Sequence, residues 1–159
     1  INNREKILNR DQKCLEIIVK RSLEHKRRVV EEDPNEKGIR ALLNFGHTIG
    51  HAVEKLKNFE LLHGECVAIG IAAASYISMK KDLISLDDHN YIISTLESFG
   101  LPTSVKGLDP DEITKTTYSD KKRTGLGIKF ILLKEIGSGY IPTDVSNIDI
   151  NDAAKSILV

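Results

Sequence analysis

Glu36-Lys37-Gly38-Ile39-Arg40-Ala41-Leu42-Leu43-Asn44-Phe45-Gly46-His47-Thr48-Ile49-Gly50-His51-Ala52-Val53-Glu54 is the stretch on which the reading of this chain turns. Ile39, Leu42, Leu43, Ile49 and Val53, with Leu56 beyond, recur at the helical period, so the spacing predicts one helix over about 37–57 with that face buried. Arg40, Asn44, His47 and His51 follow one another at intervals of 4, 3 and 4. At roughly 100° per residue they form one strip, about a quarter-turn from the apolar stripe. One face therefore packs, and the strip beside it presents a guanidinium, an amide and two imidazoles. Gly46 and Gly50 each cost about 1 kcal/mol of helix propensity against Ala. Two such costs beside two histidines predict that something approaches the backbone closely there.

On the N-terminal side, Leu15, Ile18, Val19 and Leu23, then Val29 and Val30, predict a helix from about Asp11 to Glu32 with a buried stripe. Asp33-Pro34 stops it, because proline disfavours helical geometry in the residue before it. Lys26 falls on that stripe. It is either a snorkelling stem whose ammonium reaches water or a cation aimed into a cleft for an anionic substrate. Its neighbours Lys20, Arg21, Arg27, Arg28, Glu31 and Glu32 read as a solvated face.

On the C-terminal side, Gly64 to Lys81 is Ala- and Gly-rich and apolar nearly all round, the pattern of a helix packed on several sides. A further helix from about Leu86 to Phe99 ends at Gly100 with Pro102 beyond. Asp109-Pro110-Asp111-Glu112 opens another, with Asp as cap and Pro in the first turn. Ile128 to Leu133 then reads as a strand, Gly137-Ser138-Gly139 as a turn and Tyr140 to Val145 as its partner. Ile150 to Leu158 reads as a closing helix. The expected fold is mainly α, a multi-helix domain over 1–159 with one small β-hairpin near residues 127–145.

The 159 residues carry 23 Lys plus Arg against 23 Asp plus Glu, and 40% are hydrophobic. The balanced charge argues against a nucleic-acid binder, which needs a basic field. The longest apolar stretch, Val67 to Ile77, is broken by Gly70 and Ser75 and falls far short of the ~20 residues that span a bilayer. No secretion signal is visible, and two unpatterned cysteines fit a reducing compartment, so a cytoplasmic location is expected. Cys14 and Cys66 read as small packing residues and His25 and His89 as surface. A chain opening on Ile1 is expected to be a piece of a longer protein. No Gly-rich loop follows a strand, so no Rossmann or P-loop site is expected here.

The histidine strip has a bland reading, a polar face with two incidental imidazoles, and a chemical one. A His-x-x-x-His pair is a two-tooth clip for Zn²⁺, although no Glu follows the first His as in metalloproteases. Spacing alone favours His47 and His51 as co-ligands, and His63, at a helix start in His63-Gly64-Glu65, can complete the set. Asp120-Lys121-Lys122, just before the strand, is either a charged turn or a pair of phosphate partners.

These residues match a family. Lys26…Val29-Val30…Glu36-x-Gly38-x-Arg40-x-x-Leu43-Asn44-x-Gly46-His47-Thr48-x-Gly50-His51-Ala52-x-Glu54 and His63-Gly64-Glu65-x-Val67-Ala68-x-Gly70 resemble the C-terminal domain of 3-dehydroquinate synthase, of the sugar-phosphate cyclase superfamily. Ser98-Phe99-Gly100-Leu101-Pro102 and Asp120-Lys121-Lys122…Gly127-Ile128-x-Phe130-x-Leu132-Leu133-x-x-Ile136-Gly137 extend the likeness over nearly the whole chain.

The resemblance implies a helical zinc- and substrate-binding domain that works with an N-terminal NAD-binding domain absent from this chain. It implies Zn²⁺, or another divalent ion such as Co²⁺, on His47 and His63. The third ligand, a carboxylate, belongs in the family to a Gly-x-Ala-Glu-x-x-Lys helix that lies before Ile1, and nothing in this sequence replaces it. The resemblance makes His51 an acid/base residue, against the spacing, and Glu36 the other proton acceptor. Lys26, Arg40 and Asn44 match substrate contacts, and Lys122 or Lys121 would meet the phosphate end.

The implied reaction converts 3-deoxy-D-arabino-heptulosonate 7-phosphate to 3-dehydroquinate and phosphate, in the shikimate route to aromatic amino acids. A secondary alcohol is oxidised by NAD, phosphate is eliminated, the carbonyl is reduced again, and the opened ring closes by an aldol step. A homodimer is expected for the full-length enzyme, and no activity for the fragment alone. The alternatives are another sugar-phosphate cyclase and a non-catalytic helical partner-binding module. A metal-dependent phosphohydrolase is disfavoured, because no His here is followed by Asp.

Overall fold

The computed structural model describes residues 2–36, 38–122 and 130–159, and at 120–122 it describes the backbone only. The chain divides into two compact units, Ile1–Leu43 and Asn44–Val159. Among the described residues it is mainly helical, with one two-stranded antiparallel sheet, which is the expected fold class.

The first unit holds α1 (Arg4–Leu8), which the sequence reading missed, and α2 (Gln12–Glu32). Asp11 caps α2 by accepting the Cys14 N–H at 2.9 Å, and that hydrogen bond holds its carboxyl below the usual value. The expected buried stripe on α2 is a correction. No residue of the helix is buried, and Leu15, Ile18, Val19 and Leu23 are exposed by 37–60%. Among the described residues of its unit, the other helical segments are the five-residue α1 and the short 3₁₀ stretch that begins at Ile39, too little to cover twenty-one residues.

The helix expected over 37–57 is also corrected. Ile39–Asn44 is a 3₁₀ segment, and α3 (His47–Leu56) begins only after Gly46, whose φ of +79° no α-helix contains. Arg40 and Asn44 therefore precede the helix that carries His47 and His51. Leu43, expected inside, is 38% exposed.

α4 (His63–Lys80) is buried on nearly every side, from Cys66 through Ala72, Ala73 and Ala74 to Ile77 and Ser78. Its crossing with α3 is glycine-built. A Cβ on Gly46 would lie 2.6 Å from Ile71 Cγ1 and 2.7 Å from the Val67 carbonyl, and one on Gly50 would lie 2.7 Å from the Cys66 carbonyl. A Cβ on Gly70 would fall on the Gly46 carbonyl oxygen. The close approach expected at these glycines is real, and the approaching body is α4.

α5 (Leu86–Ser98) starts on a Ser85/Asp88 capping box and stops before Gly100, at φ +74°. α6 (Pro110–Lys122) starts as expected, with Asp109 Oδ1 accepting the Asp111 and Glu112 N–H groups. The hairpin is present but shifted. β1 is Leu132–Glu135 and β2 is Ser138–Tyr140, with Glu135 opposite Ser138, so the turn is Ile136-Gly137. Residues 128 and 129 of the expected strand lie outside the described residues.

α7 (Asn147–Ser156) begins three residues early, because Ser146 and Asp149 form a capping box. The core gathers Ile49 and Val53 of α3, Ile69 and Ile77 of α4, Ile113, Phe130, Leu132, Ile150 and Ile157, all at most 2% exposed. Ser78 ties α4 to the hairpin, donating to Ala74 and accepting the Leu133 N–H at 3.0 Å.

Candidate metal centre

Three imidazoles meet at the α3–α4 crossing. Position 46, at the cap of α3, lies beside 67 and 71 on α4, and 50 beside 66 and 67, so the helices run oppositely. The start of α4 therefore returns alongside the middle of α3. His47 is the first residue of α3, His51 stands one turn on, and His63 is the first residue of α4. Ring centroids are separated by 5.2 Å (His47–His51), 5.3 Å (His47–His63) and 5.6 Å (His51–His63). One ring nitrogen from each lies within 4.8 Å of the others.

Zinc–nitrogen bonds of about 2.0–2.1 Å put two ligand nitrogens of a tetrahedral ion roughly 3.3 Å apart. Side-chain rotation of His51 and His63, both exposed, can close the remaining gap. A cluster of three neutral nitrogen donors suits Zn²⁺ or Co²⁺ and not the oxygen-seeking Mg²⁺ or Ca²⁺.

Two further contacts fix the rings. His47 Nδ1 lies 3.2 Å from the Phe45 carbonyl, and His63 Nδ1 lies 3.2 Å from Glu54 Oε1. Glu65, a conceivable substitute ligand from its place beside His63, instead accepts the Leu62 N–H at 2.8 Å and caps α4. Cys66 is fully buried, and burial first, then the nearby Glu54 and Glu65 charges, pushes its thiol up. It is a packing residue, as expected, and not a thiolate ligand.

Asn44 lies exposed three residues before His47 in the second unit. Lys26, Glu36 and Arg40 belong to the first unit. Lys26 is exposed on α2, and because no stripe there is buried, its position is no longer anomalous. Glu36 sits in the left-handed region at φ +54°, a conformation uncommon for any residue with a side chain.

Arg40 is anchored within its loop. Its N–H donates to Asp33 Oδ2 at 3.1 Å and its Nη1 to the Pro34 carbonyl at 2.9 Å. The same Asp33 oxygen accepts the Gly38 N–H at 2.7 Å, so Asp33 organises the loop that carries Glu36 and Arg40. The side chains of Lys121 and Lys122 lie outside the described residues.

Sequence reasoning passed over Glu54 and Asp33. Asp33 was visible only as a helix stop, although an Asp–Pro pair ahead of a glycine is a turn signal. His89, expected at the surface, is half-buried, with Nδ1 2.8 Å from Ser75 Oγ.

Residues 1–123 match the family model described as 3-dehydroquinate synthase C-terminal. A 3-dehydroquinate synthase of Acetivibrio thermocellus is 46% identical over 136 residues, which are 85% of this chain and 38% of that protein. Among solved structures, a 2-deoxy-scyllo-inosose synthase complexed with carbaglucose-6-phosphate, NAD⁺ and Co²⁺ superposes with a TM-score of 0.82 at 27% identity, covering 92% of this chain and 43% of that one. A 2-epi-5-epi-valiolone synthase from Streptomyces hygroscopicus, with NAD⁺ and Zn²⁺ bound, reaches 0.83 at 20% identity over 98% of this chain and 44% of its own, a likeness of fold. This chain thus spans about two-fifths of the curated relative it matches.

Proposed function

The chain belongs to the 3-dehydroquinate synthase C-terminal family, and on that premise we propose that it is the metal- and substrate-binding part of a 3-dehydroquinate synthase. The observation that carries this reading is the convergence of His47, His51 and His63 at one crossing, with ring nitrogens within 4.8 Å. The complete enzyme would turn 3-deoxy-D-arabino-heptulosonate 7-phosphate into 3-dehydroquinate and phosphate, with NAD held by the remainder of the enzyme.

His47 and His63 would hold Zn²⁺ or Co²⁺, which supplies a Lewis acid that polarises a substrate oxygen. His51, a turn along α3, would take and return a proton at a ring nitrogen, since imidazole ordinarily titrates near neutral pH. Asn44 would orient a substrate hydroxyl. Lys26, Arg40 and one of Lys121 and Lys122 would clamp the carboxylate and phosphate, and Glu36 would accept a second proton. Those five assignments, and the choice of His51 as acid/base with His47 and His63 as ligands, rest on the residue match to the family, as does a homodimeric state for the full-length enzyme. A cytoplasmic location is supported by two free cysteines. Among the described residues no helix is long and apolar enough to cross a membrane.

A chimaera tests the reading. These residues would replace the corresponding two-fifths of the Acetivibrio thermocellus synthase, and phosphate release would be followed with NAD and Zn²⁺. Turnover of the heptulosonate phosphate is expected, and His51→Ala should lower kcat by about 10²–10⁴-fold, the usual worth of a positioned acid/base. A folded, zinc-loaded chimaera inert on that substrate but active on another sugar phosphate would move the assignment to a sister cyclase.

A further inference from the structure

A neutral imidazole offers a metal whichever nitrogen does not carry its proton, so the partner of the other nitrogen decides which one is offered. At His47 the Phe45 carbonyl stands 3.2 Å from Nδ1 and can only accept, so Nδ1 carries the proton and Nε2 keeps its lone pair. At His63 that place is taken by a side chain. Glu54 Oε1 lies 3.2 Å and Oε2 3.4 Å from Nδ1, and an ionised carboxylate is likewise an acceptor only.

Glu54 is unusual in its surroundings. Its side chain is only 17% exposed while that of His63 is 54% exposed, so the carboxylate, not the imidazole, is the withdrawn partner. It follows core residue Val53 directly and bears on the buried Cys66 thiol. A carboxylate drawn back from water is unfavourable unless something pairs with it. Among the described residues, the side-chain partner of that carboxylate is the Nδ1 of His63. The reach is also specific, since Glu54 lies on α3 and His63 opens α4, so the contact locks the second helix's ligand to the first helix.

We propose that Glu54 is a positioning residue of the metal centre. It holds the Nδ1–H of His63 so that Nε2 faces the ion, and it adds the negative charge that neutral imidazoles lack. The inference rests on the proposed metal reading and extends it one layer outward. Outer carboxylates of this kind typically alter metal affinity by about 10–100-fold.

The test uses the 159-residue chain, unsubstituted and as Glu54→Ala and Glu54→Gln, with circular dichroism confirming that each folds. Nitrogen-15 spectra of the metal-free chains report the His63 tautomer, and competition titrations with Zn²⁺ and Co²⁺ report affinity. The Nδ1–H form is expected for His63 in the unsubstituted chain, with a shift toward Nε2–H in Glu54→Ala. The Kd for Zn²⁺ should rise about 10–100-fold in Glu54→Ala. Glu54→Gln, whose amide oxygen still accepts from Nδ1, should fall between. An unaltered affinity in folded Glu54→Ala overturns the inference whatever the tautomer does. Weak uptake is expected of the unsubstituted chain, so the complete absence of binding of either ion, even at high ion concentration, would instead overturn the metal reading, and this inference with it.

Discussion

His89 packs its ring against α4, with Ser75 Oγ at 2.8 Å and the Tyr76 ring 6.2 Å away, and burial holds its imidazole below the ordinary 6.5. The unfolded chain therefore binds a proton at this site at higher pH than the folded one does. Stability from His89 is full above the unfolded value and falls as pH drops through it toward the folded value. Urea denaturation at about pH 7.5 and about pH 5.5 should show a lower midpoint in acid, and the difference should shrink in His89→Gln. An equal acid loss in both proteins would place the titration elsewhere. At this scale the sequence was legible where residues cluster along it. His47, His51 and His63 stood out because two share a helix face and the third opens a helix. Glu54 did not, because its partner sits nine residues on, across a helix crossing that no spacing rule encodes. His89 looked like surface because its serine partner belongs to another helix.

Between elements, the α3–α4 crossing depends on missing side chains. Gly70→Ala would drive a methyl into the Gly46 backbone, where neither helix can yield alone. The expected loss is about 3 kcal/mol or more, at the upper end of overpacking. Gly64, in the first turn of α4, has nothing within 4 Å of its would-be Cβ. Gly64→Ala should leave stability unchanged or raise it by about 0.5–1 kcal/mol. Chemical denaturation of both variants checks the pair, and equal effects would mean that the crossing is not tight. A second contrast concerns α2. Val19→Ser, at a position 56% exposed, should change stability by less than about 0.5 kcal/mol, whereas Ile69→Ala in the core should cost about 2–5 kcal/mol. Helix existence was legible because apolar periodicity is a local signal: α2, α4 and α5 fall within a residue or two of their expected bounds, and α6 starts where expected. The break at Gly46 was not, since its left-handed turn interrupts a period that continues on either side. The hairpin slipped because Gly137-Ser138-Gly139 offered several turns and the pairing of Glu135 with Ser138 chose one. The missing burial of α2 was out of reach, since periodicity says which face is apolar and not what covers it.

At the scale of the molecule, the core cluster runs from Ile49 to Ile157 and lies wholly within the second unit, as do all three histidines. A chain beginning at Asn44 should therefore keep its helical circular dichroism and a cooperative thermal transition, and loss of both would show that residues 1–43 are needed to fold. Activity is another matter. Among the described residues the one sheet is a two-stranded antiparallel hairpin, whereas dinucleotide cradles of the Rossmann type rest on parallel sheets with a Gly-rich first turn. Among the described residues there is no parallel sheet, no Gly-rich loop follows an expected strand in the sequence, and the chain spans 38% of its Acetivibrio thermocellus relative. Under the proposed function, proton and charge handling would reside here and the hydride acceptor would be held by the remainder of the enzyme. The two histidines proposed as ligands, His47 and His63, also fall one short of the three protein ligands usual at a catalytic zinc. The 159-residue chain supplied with Zn²⁺, NAD and heptulosonate phosphate should thus release no phosphate above the buffer rate, and chelators should strip its metal readily. Adding the N-terminal remainder of the Acetivibrio synthase as a separate polypeptide should restore release, because on the proposed function that remainder supplies the NAD site in trans. Release by the chain alone would show a redox site inside these residues and overturn the division of labour. Failure of the folded, mixed halves would mean that the active site needs the covalent link between them.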